Sequence, residues 1–387
     1  MLIIGVRSLK FFHTSDWHLG RMLYGRSLIE DQRYFIEHEF LPAVEREKPN
    51  FVLISGDIYD RQIAPTEAIA LFDFTLNSLA EMKVPTFIIS GNHDGADRMV
   101  IMKDLLRRQG MYISTNLDDA KIVPEIEING EKAQIFLLPF IDAAAARDYF
   151  KDETLRGSGA AVQAAIEQIF KPQFKAGYKK IILSHCFAAG SVKSDSESTI
   201  FVGGSGEVPP AVFADFDYTA LGHLHGVQKA GENGRYSGSP LKYSVDEQNH
   251  KKCFLEVELT DESLSIKEIP VTPVHDVRRI TGLFDDIFVQ GQEKKCVDYV
   301  EIILEDKRPI MMAAEKLRPL YPNMLAVHNR WMAAASENQR SKDLKNQDES
   351  EIFMAFVEEV CGEKASDSET ELFLSVLAKI KESEGLI

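Results

Sequence analysis

The sequence predicts an α/β fold in which sheets of buried strands are flanked by helices. Six short apolar runs have the length of buried strands, and they are Phe11–Thr14, Phe51–Ser55, Thr86–Ser90, Ile135–Leu138, Ile181–Ser184 and Tyr218–Leu221. Helical patterns lie between several of them, as in Thr66–Leu79 and Ala160–Phe170, where apolar residues recur every three or four positions. Alternating strands and helices predict a layered sandwich whose functional site lies where strands end.

A second, smaller unit is expected after a first domain that spans residues 1–271. Tyr299–Leu304 and Met324–Val327 have strand patterns, and Ile310–Leu320 between them has a helical pattern. These elements predict a small α/β domain over residues 272–340.

The remaining residues, 341–387, begin with a polar, linker-like stretch and then contain two amphipathic helical patterns, near 351–361 and 368–382. The pattern Ser368-x-x-Glu371 predicts a capping box at the start of the second helix. Both apolar stripes could pack back onto their own domain. We favour a role in binding a partner protein.

Composition indicates a cytoplasmic protein without a membrane segment. The chain has 387 residues, of which 44% are hydrophobic and 27% charged, as in ordinary globular proteins. Apolar runs stay far below the ~20 residues that a membrane helix needs. The four cysteines are scattered and form no CxxC pair, which favours reduced thiols. A net charge of −16 argues against a surface coated with basic residues but leaves room for a local basic groove.

Ionisable and amide side chains follow directly after five of the predicted strands. The segments that carry them are HTSDWHLG, ISGDIYD, IISGNHDG, LSHC and LGHLHG. Asp16 and His18 are two positions apart, as are His223 and His225, so each pair lies on one side of an extended backbone. Adjacent glycines are expected to let the chain turn sharply beside these side chains, and they are Gly56, Gly91 and Gly222.

These strand ends predict a site for two metal ions. Seven side chains offer a carboxylate, an amide oxygen or an imidazole, namely Asp16, His18, Asp57, Asn92, His185, His223 and His225. Seven ligands are too many for one ion but suit two ions that share a carboxylate. A mixed nitrogen and oxygen set without thiolate suits Mn²⁺, Fe²⁺ or Zn²⁺ better than Ca²⁺. Two ions about 3.5–4 Å apart are a common device for in-line attack on a phosphate ester.

Each of these residues alone also has an ordinary structural explanation. Asp57 could be a helix N-cap, Asn92 and Asp94 could form a turn, and His185 could simply end a buried strand. An isolated Asp-x-His or His-x-His pattern is more often surface decoration than a metal site. The metal interpretation therefore depends on the joint occurrence of these residues at five strand ends.

The five segments resemble the calcineurin-like metallophosphoesterase superfamily, whose motifs occur in the order D-x-H, GD, GNH(D/E), H and GHxH. Longer stretches, including HTSDWHLGR, SGDIYDR, DYTALGHLHGVQ and YSGSPLKYSVDE, resemble the SbcD family, which comprises the nuclease subunits of bacterial SbcCD complexes. VHDVRRITG and LRPLYPN resemble the capping domain of that family. The resemblance covers most of the chain and fades after about residue 340.

The resemblance implies a metallophosphoesterase β-sandwich flanked by helices, a small α/β capping domain and C-terminal helices. It also implies two divalent ions, with Mn²⁺ as the expected metal. The first ion would be held by Asp16, His18, Asp57 and His225. The second would be held by Asp57, Asn92, His185 and His223. His93 would face the scissile phosphate as a hydrogen-bond or proton donor, and Asp94 would orient its imidazole.

The implied activity is that of a metal-dependent DNA nuclease, a 3′→5′ exonuclease on double strands and an endonuclease on single strands and hairpins. Such a nuclease would act in DNA end processing, repair and recombination. The implied partner is the SbcC ATPase, in a heterotetramer-like complex built on a nuclease homodimer. Seven residues near the motifs could contact DNA phosphates or could simply be surface groups, namely Arg21, Tyr24, Arg26, Arg61, Arg98, Lys242 and Tyr243.

Two other functions remain open from the sequence. A protein phosphatase or cyclic-nucleotide phosphodiesterase would share the metal motifs, but it has no evident use for a capping region and a helical tail. A non-catalytic scaffold would keep the fold without its metals, and the full ligand set argues against it. Assays on duplex DNA beside a nitrophenyl ester, together with metal analysis, would distinguish these alternatives.

Overall fold

The computed structural model describes residues 8–99, 103–194, 196–197, 206–330, 350, 352–355, 357 and 365–383. Its strands, in chain order, are β1 (Leu9–Thr14), β2 (Met22–Leu23), β3 (Arg26–Ser27), β4 (Phe51–Ser55), β5 (Thr86–Ile89), β6 (Met111–Ser114), β7 (Glu125–Ile128), β8 (Glu131–Leu138), β9 (Lys179–His185), β10 (Phe187–Ala188), β11 (Glu207–Val208), β12 (Tyr218–Gly222), β13 (Gln228–Ala230), β14 (Gly234–Tyr236), β15 (Cys253–Leu259), β16 (Leu264–Pro270), β17 (Val277–Gly282), β18 (Tyr299–Leu304) and β19 (Met324–Asn329).

The α-helices are α1 (Ile29–Tyr34), α2 (Leu41–Glu47), α3 (Thr66–Glu81), α4 (Ala96–Met99), α5 (Lys103–Arg108), α6 (Leu117–Ala120), α7 (Ala143–Phe150), α8 (Gly157–Ala165), α9 (Phe284–Glu293), α10 (Ala313–Leu317) and α11 (Asp367–Ser383). One π-helical segment, Phe35–Phe40, joins α1 to α2, and another, Ile166–Phe170, extends α8. The first predicted helix therefore agrees closely with α3, and the second corresponds to α8 with its π-helical extension.

Two six-stranded sheets form the centre of the molecule. The first has the strand order β16-β15-β1-β4-β5-β6, and the second has the order β13-β14-β12-β9-β8-β7. Strands β1, β4, β5 and β6 run parallel, as do β8, β9, β12 and β14. Parallel strands are covered on both faces, which explains why they appear in the sequence as continuous apolar runs. All six predicted strands are present.

Alternate residues of these strands fill two different layers, as the two-residue period of a strand requires. Phe11 and Phe51 face the opposite sheet, and their rings stack with centroids 4.7 Å apart. Their neighbours Phe12 and Val52 face outward and pack under the helices that cover the first sheet. Ile182 does the same under the helices of the second sheet. The result is a sandwich of helices, sheet, sheet and helices, as predicted.

The second lobe, residues 272–330, has its own parallel sheet in the order β17-β18-β19 and its own apolar cluster with α9 and α10. The helix predicted over Ile310–Leu320 is shorter, since α10 covers only Ala313–Leu317. Polar contacts join this lobe to the sandwich. The buried Asp31 carboxylate accepts hydrogen bonds from His275 Nδ1 at 2.8 Å and from the Tyr299 hydroxyl at 2.9 Å.

The C-terminal tail contains helix α11, close to the helix predicted near 368–382. Its capping box lies two residues earlier than predicted, because the Ser366 N–H donates to Glu369 Oε2 at 2.8 Å and the Glu369 N–H approaches Ser366 Oγ at 3.4 Å. The rings of Phe353 and Phe373 stack 4.2 Å apart, so the two apolar stripes contact each other. The predicted linker and most of the predicted helix 351–361 lie outside the described residues.

Candidate metal centre

The five strand ends singled out in the sequence meet at one edge of the two sheets. The loops that follow β1 and β4 are joined by their backbones, since the Asp16 N–H donates to Gly56 O at 3.0 Å and the His18 N–H donates to Asp57 O at 2.9 Å. Side-chain contacts then connect this first sheet to the ends of β9 and β12 in the second. All seven predicted ligands take part in this cluster, and they are Asp16, His18, Asp57, Asn92, His185, His223 and His225.

Four of these residues have a left-handed backbone. The φ angles are 54° at Asp16, 44° at His18, 49° at Asp57 and 102° at His223. Residues other than glycine seldom adopt such angles, and those that do are concentrated at functional sites, where surrounding contacts hold them. One such contact is the backbone N–H of His223, which donates to Asp16 Oδ1 at 2.9 Å. The loops therefore hold the side chains in place by several bonds at once.

The three glycines beside the site have two different roles. Gly56 has φ of 88°, so it provides the sharp turn expected from the sequence. Gly91 and Gly222 are needed for space instead. A Cβ atom on Gly91 would overlap the Asp57 carboxylate, and one on Gly222 would overlap the carbonyl oxygen of Ser55. The loops can come this close only because these two positions lack a side chain.

The first cluster consists of Asp16, His18, Asp57 and His225. Ligand atoms of Asp16, His18 and His225 all lie within 4.8 Å of one another. The Nε2 atoms of His18 and His225 are 3.1 Å apart, and His18 Nε2 is 3.6 Å from Asp57 Oδ2. These are the four residues that the resemblance implied for the first ion.

The second cluster consists of Asp57, Asn92, His185 and His223. Asn92 Oδ1 lies 3.1 Å from His185 Nε2 and 3.1 Å from His223 Nδ1. His185 Nε2 is also 3.3 Å from Asp57 Oδ2. One carboxylate oxygen, Asp57 Oδ2, therefore belongs to both clusters.

The hydrogen bonds behind His185 show that the second cluster suits a cation. His185 Nδ1 is 2.8 Å from the carbonyl oxygen of Ser55, which can only accept, so Nδ1 carries the proton. In the neutral ring Nε2 then has a lone pair. That lone pair faces two further acceptors, Asp57 Oδ2 and Asn92 Oδ1. Three lone pairs pointing at one another in this largely buried cluster are unfavourable unless a positive charge lies among them.

Burial and neighbouring charges put most of these groups in the protonation states that bind metals. Burial lowers the pKa of His223 to about 3 and lowers that of His18 well below its usual value, so both rings are neutral. Burial alone would raise the pKa of Asp57, but His185 and His18 hold it well below its usual range. Burial would lower the pKa of His185, but the attraction of Asp57 raises it to about 9. The pocket therefore favours positive charge at this point.

His93 and Asp94 have different contacts from those expected. His93 Nδ1 donates to the carbonyl oxygen of Asp60 at 2.8 Å, and this bond orients the imidazole. The buried Asp94 carboxylate instead accepts three backbone N–H groups, from Ile58 at 3.2 Å, Tyr59 at 2.8 Å and Gly91 at 2.8 Å. The expectation that Asp94 orients the His93 ring is therefore corrected. A carboxylate that binds three N–H groups joins the β4 and β5 loops and so supports Asp57 and Asn92.

A third group of potential ligands, His18, Asp60 and His93, lies next to the first cluster. The Asp60 carboxylate already pairs with the Arg21 guanidinium at 2.8 Å. The positive charge of Arg21 neutralises this carboxylate and would repel a further cation. We therefore assign no metal role to this group.

Comparison with known proteins identifies the family of this chain. The family model for calcineurin-like phosphoesterases matches residues 9–227, and a model described as the Type 5 capsule protein repressor C-terminal domain matches residues 273–360. The D subunit of nuclease SbcCD from Staphylococcus epidermidis is 32% identical over 381 residues, which cover 97% of this chain and 100% of that protein. The chain belongs to the SbcD family. The predicted family and the predicted metallophosphoesterase fold are thus confirmed.

A solved structure, TT1561 of Thermus thermophilus, also has some likeness to this SbcD-family chain. The identity is 12%, the TM-score is 0.39, and the match covers 68% of this chain and 100% of that one. A likeness this low indicates nothing more about the fold.

Within the described parts of the chain, no helix is both long and apolar enough to span a lipid bilayer.

Sequence reasoning missed Glu247, which contacts the site of this SbcD-family chain. Glu247 is completely buried, and its Oε1 lies 3.1 Å from His225 Nδ1. Burial alone would raise the pKa of Glu247, but Lys252 and His225 hold it well below its usual range. Glu247 lies in the stretch YSGSPLKYSVDE, which resembled the SbcD family, but no local pattern separates it from other surface-like acidic residues. Only its burial beside His225 reveals it.

The residues expected near DNA divide into two groups. Arg26 donates to the carbonyl oxygen of Pro322 at 2.9 Å, Lys242 pairs with Asp276 at 2.8 Å, and Tyr243 is buried. These three, like Arg21, are engaged in internal contacts. The side chains of the other three are exposed, and they are Tyr24, Arg61 and Arg98.

Proposed function

We propose that this chain is a metal-dependent DNA nuclease, the nuclease subunit of an SbcCD complex. It would digest double strands as a 3′→5′ exonuclease and cut single strands and hairpins as an endonuclease, in DNA end processing, repair and recombination. The observation that carries the proposal is the position of Asp57 Oδ2, which lies 3.6 Å from a histidine of one cluster and 3.3 Å from a histidine of the other. Such an oxygen is suited to bridge two cations.

The two clusters would each hold one divalent ion, and we propose Mn²⁺ for both. Imidazole nitrogens and carboxylate or amide oxygens, without thiolate, favour a metal of this kind. When bound, two such ions stabilise the attacking and the leaving oxygen of a phosphate ester. The first ion would be held by Asp16, His18, Asp57 and His225, and the second by Asp57, Asn92, His185 and His223.

His93 would serve the leaving group rather than a metal. Its Nδ1 proton is engaged by the Asp60 carbonyl at 2.8 Å, which leaves Nε2 as the atom able to act on substrate. To donate from Nε2, the ring must carry protons on both nitrogens. The backbone N–H of His93 also donates to Asp57 Oδ1 at 2.9 Å, so this bond ties the proton donor in the β5 loop to the shared carboxylate in the β4 loop. The Asp94 carboxylate joins the same two loops through the backbone N–H groups that it accepts.

We propose three functional regions. Residues 1–271 would form the nuclease domain, residues 272–340 a capping domain that contacts DNA, and residues 341–387 a linker with helices that bind the SbcC ATPase. The separate apolar cluster of the second lobe supports the boundary near residue 272. We further propose a homodimer that works with SbcC in the cytoplasm, where its DNA substrate would be found.

Digestion of an end-labelled DNA duplex tests the proposal. Mn²⁺ should support shortening of the labelled strands, and the SbcC partner with ATP should increase the rate. A nitrophenyl phosphodiester is assayed in parallel. Hydrolysis of this small ester without any attack on duplex, single-stranded or hairpin DNA would refute the nuclease function and favour a small-substrate phosphoesterase. Lack of bound metal in the purified protein would favour a scaffold.

A further inference from the structure

A buried ion pair lies behind His225, and the proposed mechanism does not use it. Glu247 belongs to the short 3₁₀ helix Val245–Asn249, and Lys252 lies directly before β15. Glu247 is 0% exposed and Lys252 is 8% exposed, and the Lys252 ammonium donates to Glu247 Oε2. Buried ion pairs seldom stabilise a fold by themselves, because removing two charges from water offsets their attraction. This pair therefore needs another explanation.

Both members of the pair contact His225. Glu247 Oε1 is 3.1 Å from Nδ1 of the ring. Lys252 Nζ donates to the carbonyl oxygen of His225 at 2.9 Å and to Ser239 Oγ at 2.8 Å. The pair therefore holds the ring and the backbone of His225 at the same time. It also connects the end of β12, in the second sheet, to β15, in the first.

The chemistry of a carboxylate decides which nitrogen of His225 carries the proton. An ionised carboxylate can only accept hydrogen bonds, so it keeps the proton on Nδ1 and leaves the lone pair on Nε2. Nε2 is the atom that faces the first cluster, 3.1 Å from His18 Nε2. The Ser196 hydroxyl also donates to Glu247 Oε1, and its oxygen lies 2.7 Å from His225 Nδ1. Because its proton is directed at the carboxylate, this oxygen accepts from Nδ1 and so favours the same tautomer.

We propose that Glu247, held in place by Lys252, is a positioning residue that sets the tautomer and the orientation of His225. It would thereby control how tightly the first cluster binds its cation. Carboxylate partners of metal-bound histidines typically change metal affinity by 10–100-fold, roughly the size expected here. The inference rests on the proposed function in treating His225 as a ligand, but the tautomer of His225 can be tested separately.

The test compares Mn²⁺ binding to metal-stripped, full-length proteins by titration calorimetry. Glu247→Gln removes the charge but leaves Lys252 buried without its anion, so the double variant Glu247→Gln/Lys252→Met is made as well. Glu301→Gln is the matched control, because it removes a similarly buried carboxylate from its pair with Arg279 in the second lobe. His223→Ala identifies which binding step belongs to the second cluster.

Both Glu247 variants should bind the first-cluster ion about 10–100-fold more weakly, with the second-cluster ion bound as in the wild type. The control should bind both ions normally. Unchanged affinity at the first cluster in the folded double variant would overturn the proposal.

Nitrogen-15 NMR of histidine-labelled, metal-free protein provides the second measurement. The wild-type His225 ring should be protonated at Nδ1, and the double variant should show a mixture of tautomers or the Nε2-protonated form. If wild-type protein failed to bind two ions, the proposed function would fail, while this measurement would still decide the role of Glu247. An Nε2-protonated His225 in the wild type would overturn that role.

Discussion

Replacement of His93 by asparagine separates a residue that acts on substrate from a residue that holds metal. We expect His93→Asn to retain both ions and nearly normal affinity for duplex DNA, and to lose turnover. The structure supports retention of the ions, because the contact between residue 93 and Asp57 Oδ1 is made by the backbone N–H at 2.9 Å, which asparagine keeps.

The size of each effect follows from the contacts of the His93 side chain. The variant loses the hydrogen bond from Nδ1 to the Asp60 carbonyl, which contributes about 1 kcal/mol to the free energy of unfolding. Loss of a positioned proton donor lowers turnover by about 10²–10⁴-fold. That loss corresponds to roughly 2.7–5.4 kcal/mol of activation free energy, at about 1.36 kcal/mol per factor of ten. Catalysis should therefore suffer more than stability.

Metal content by elemental analysis, duplex binding and turnover are measured on the same preparations. The fall in turnover should be larger for DNA than for a nitrophenyl ester, because an activated leaving oxygen needs less protonation. His38→Asn, an exposed histidine on the π-helical segment Phe35–Phe40, is the control and should behave as the wild type. Loss of one ion from His93→Asn would show instead that His93 is a metal ligand.

Three further outcomes are expected. Asp57→Ala should lose metal from both clusters and all activity, whereas Asp16→Ala should mainly empty the first; equal and full metal content in both, by elemental analysis, would contradict the shared oxygen. Gly91→Ala should destabilise the protein by about 1–3 kcal/mol in denaturant titrations and weaken metal binding, because its Cβ would overlap the Asp57 carboxylate; a normal midpoint would argue against this close approach. Removal of residues 346–387 should preserve metal binding and weak nuclease activity but abolish co-purification with SbcC, and a truncated protein that still forms the complex would exclude the tail as the binding segment.

Asp94 illustrates how neighbours in sequence mislead about contacts. Its position directly after His93 suggested that it orients the imidazole, but its carboxylate binds backbone N–H groups of two loops, Ile58 and Tyr59 in one and Gly91 in the other. The partner of the ring is the carbonyl oxygen of Asp60, a backbone group that every residue type possesses. A sequence carries no signal for such a partner. Consequently Asp94→Asn should lower stability and metal binding, not only turnover.

The layers of the fold and the residue types at its strand ends could be predicted from local patterns in the sequence. Continuous apolar runs, such as Phe51–Ser55, predict buried strands, and in the structure these are parallel strands covered on both faces. Polar residues directly after such runs are costly unless they serve a function, so their number and type already predicted a mixed nitrogen and oxygen metal site. Local patterns suffice for these inferences because burial and strand period act over a few residues.

How those residues act together could be seen only in the folded chain. One oxygen of Asp57 approaches histidines from both sheets. Glu247 and Lys252 lie buried behind His225. Both arrangements depend on segments that are far apart in the chain. Hydrogen bonds form according to distance in space, and an isolated glutamate in a sequence looks the same whether it faces solvent or a histidine. Packing of the two sheets brings these groups within 3–4 Å, the range at which a hydrogen bond can fix a tautomer and one oxygen can belong to two clusters.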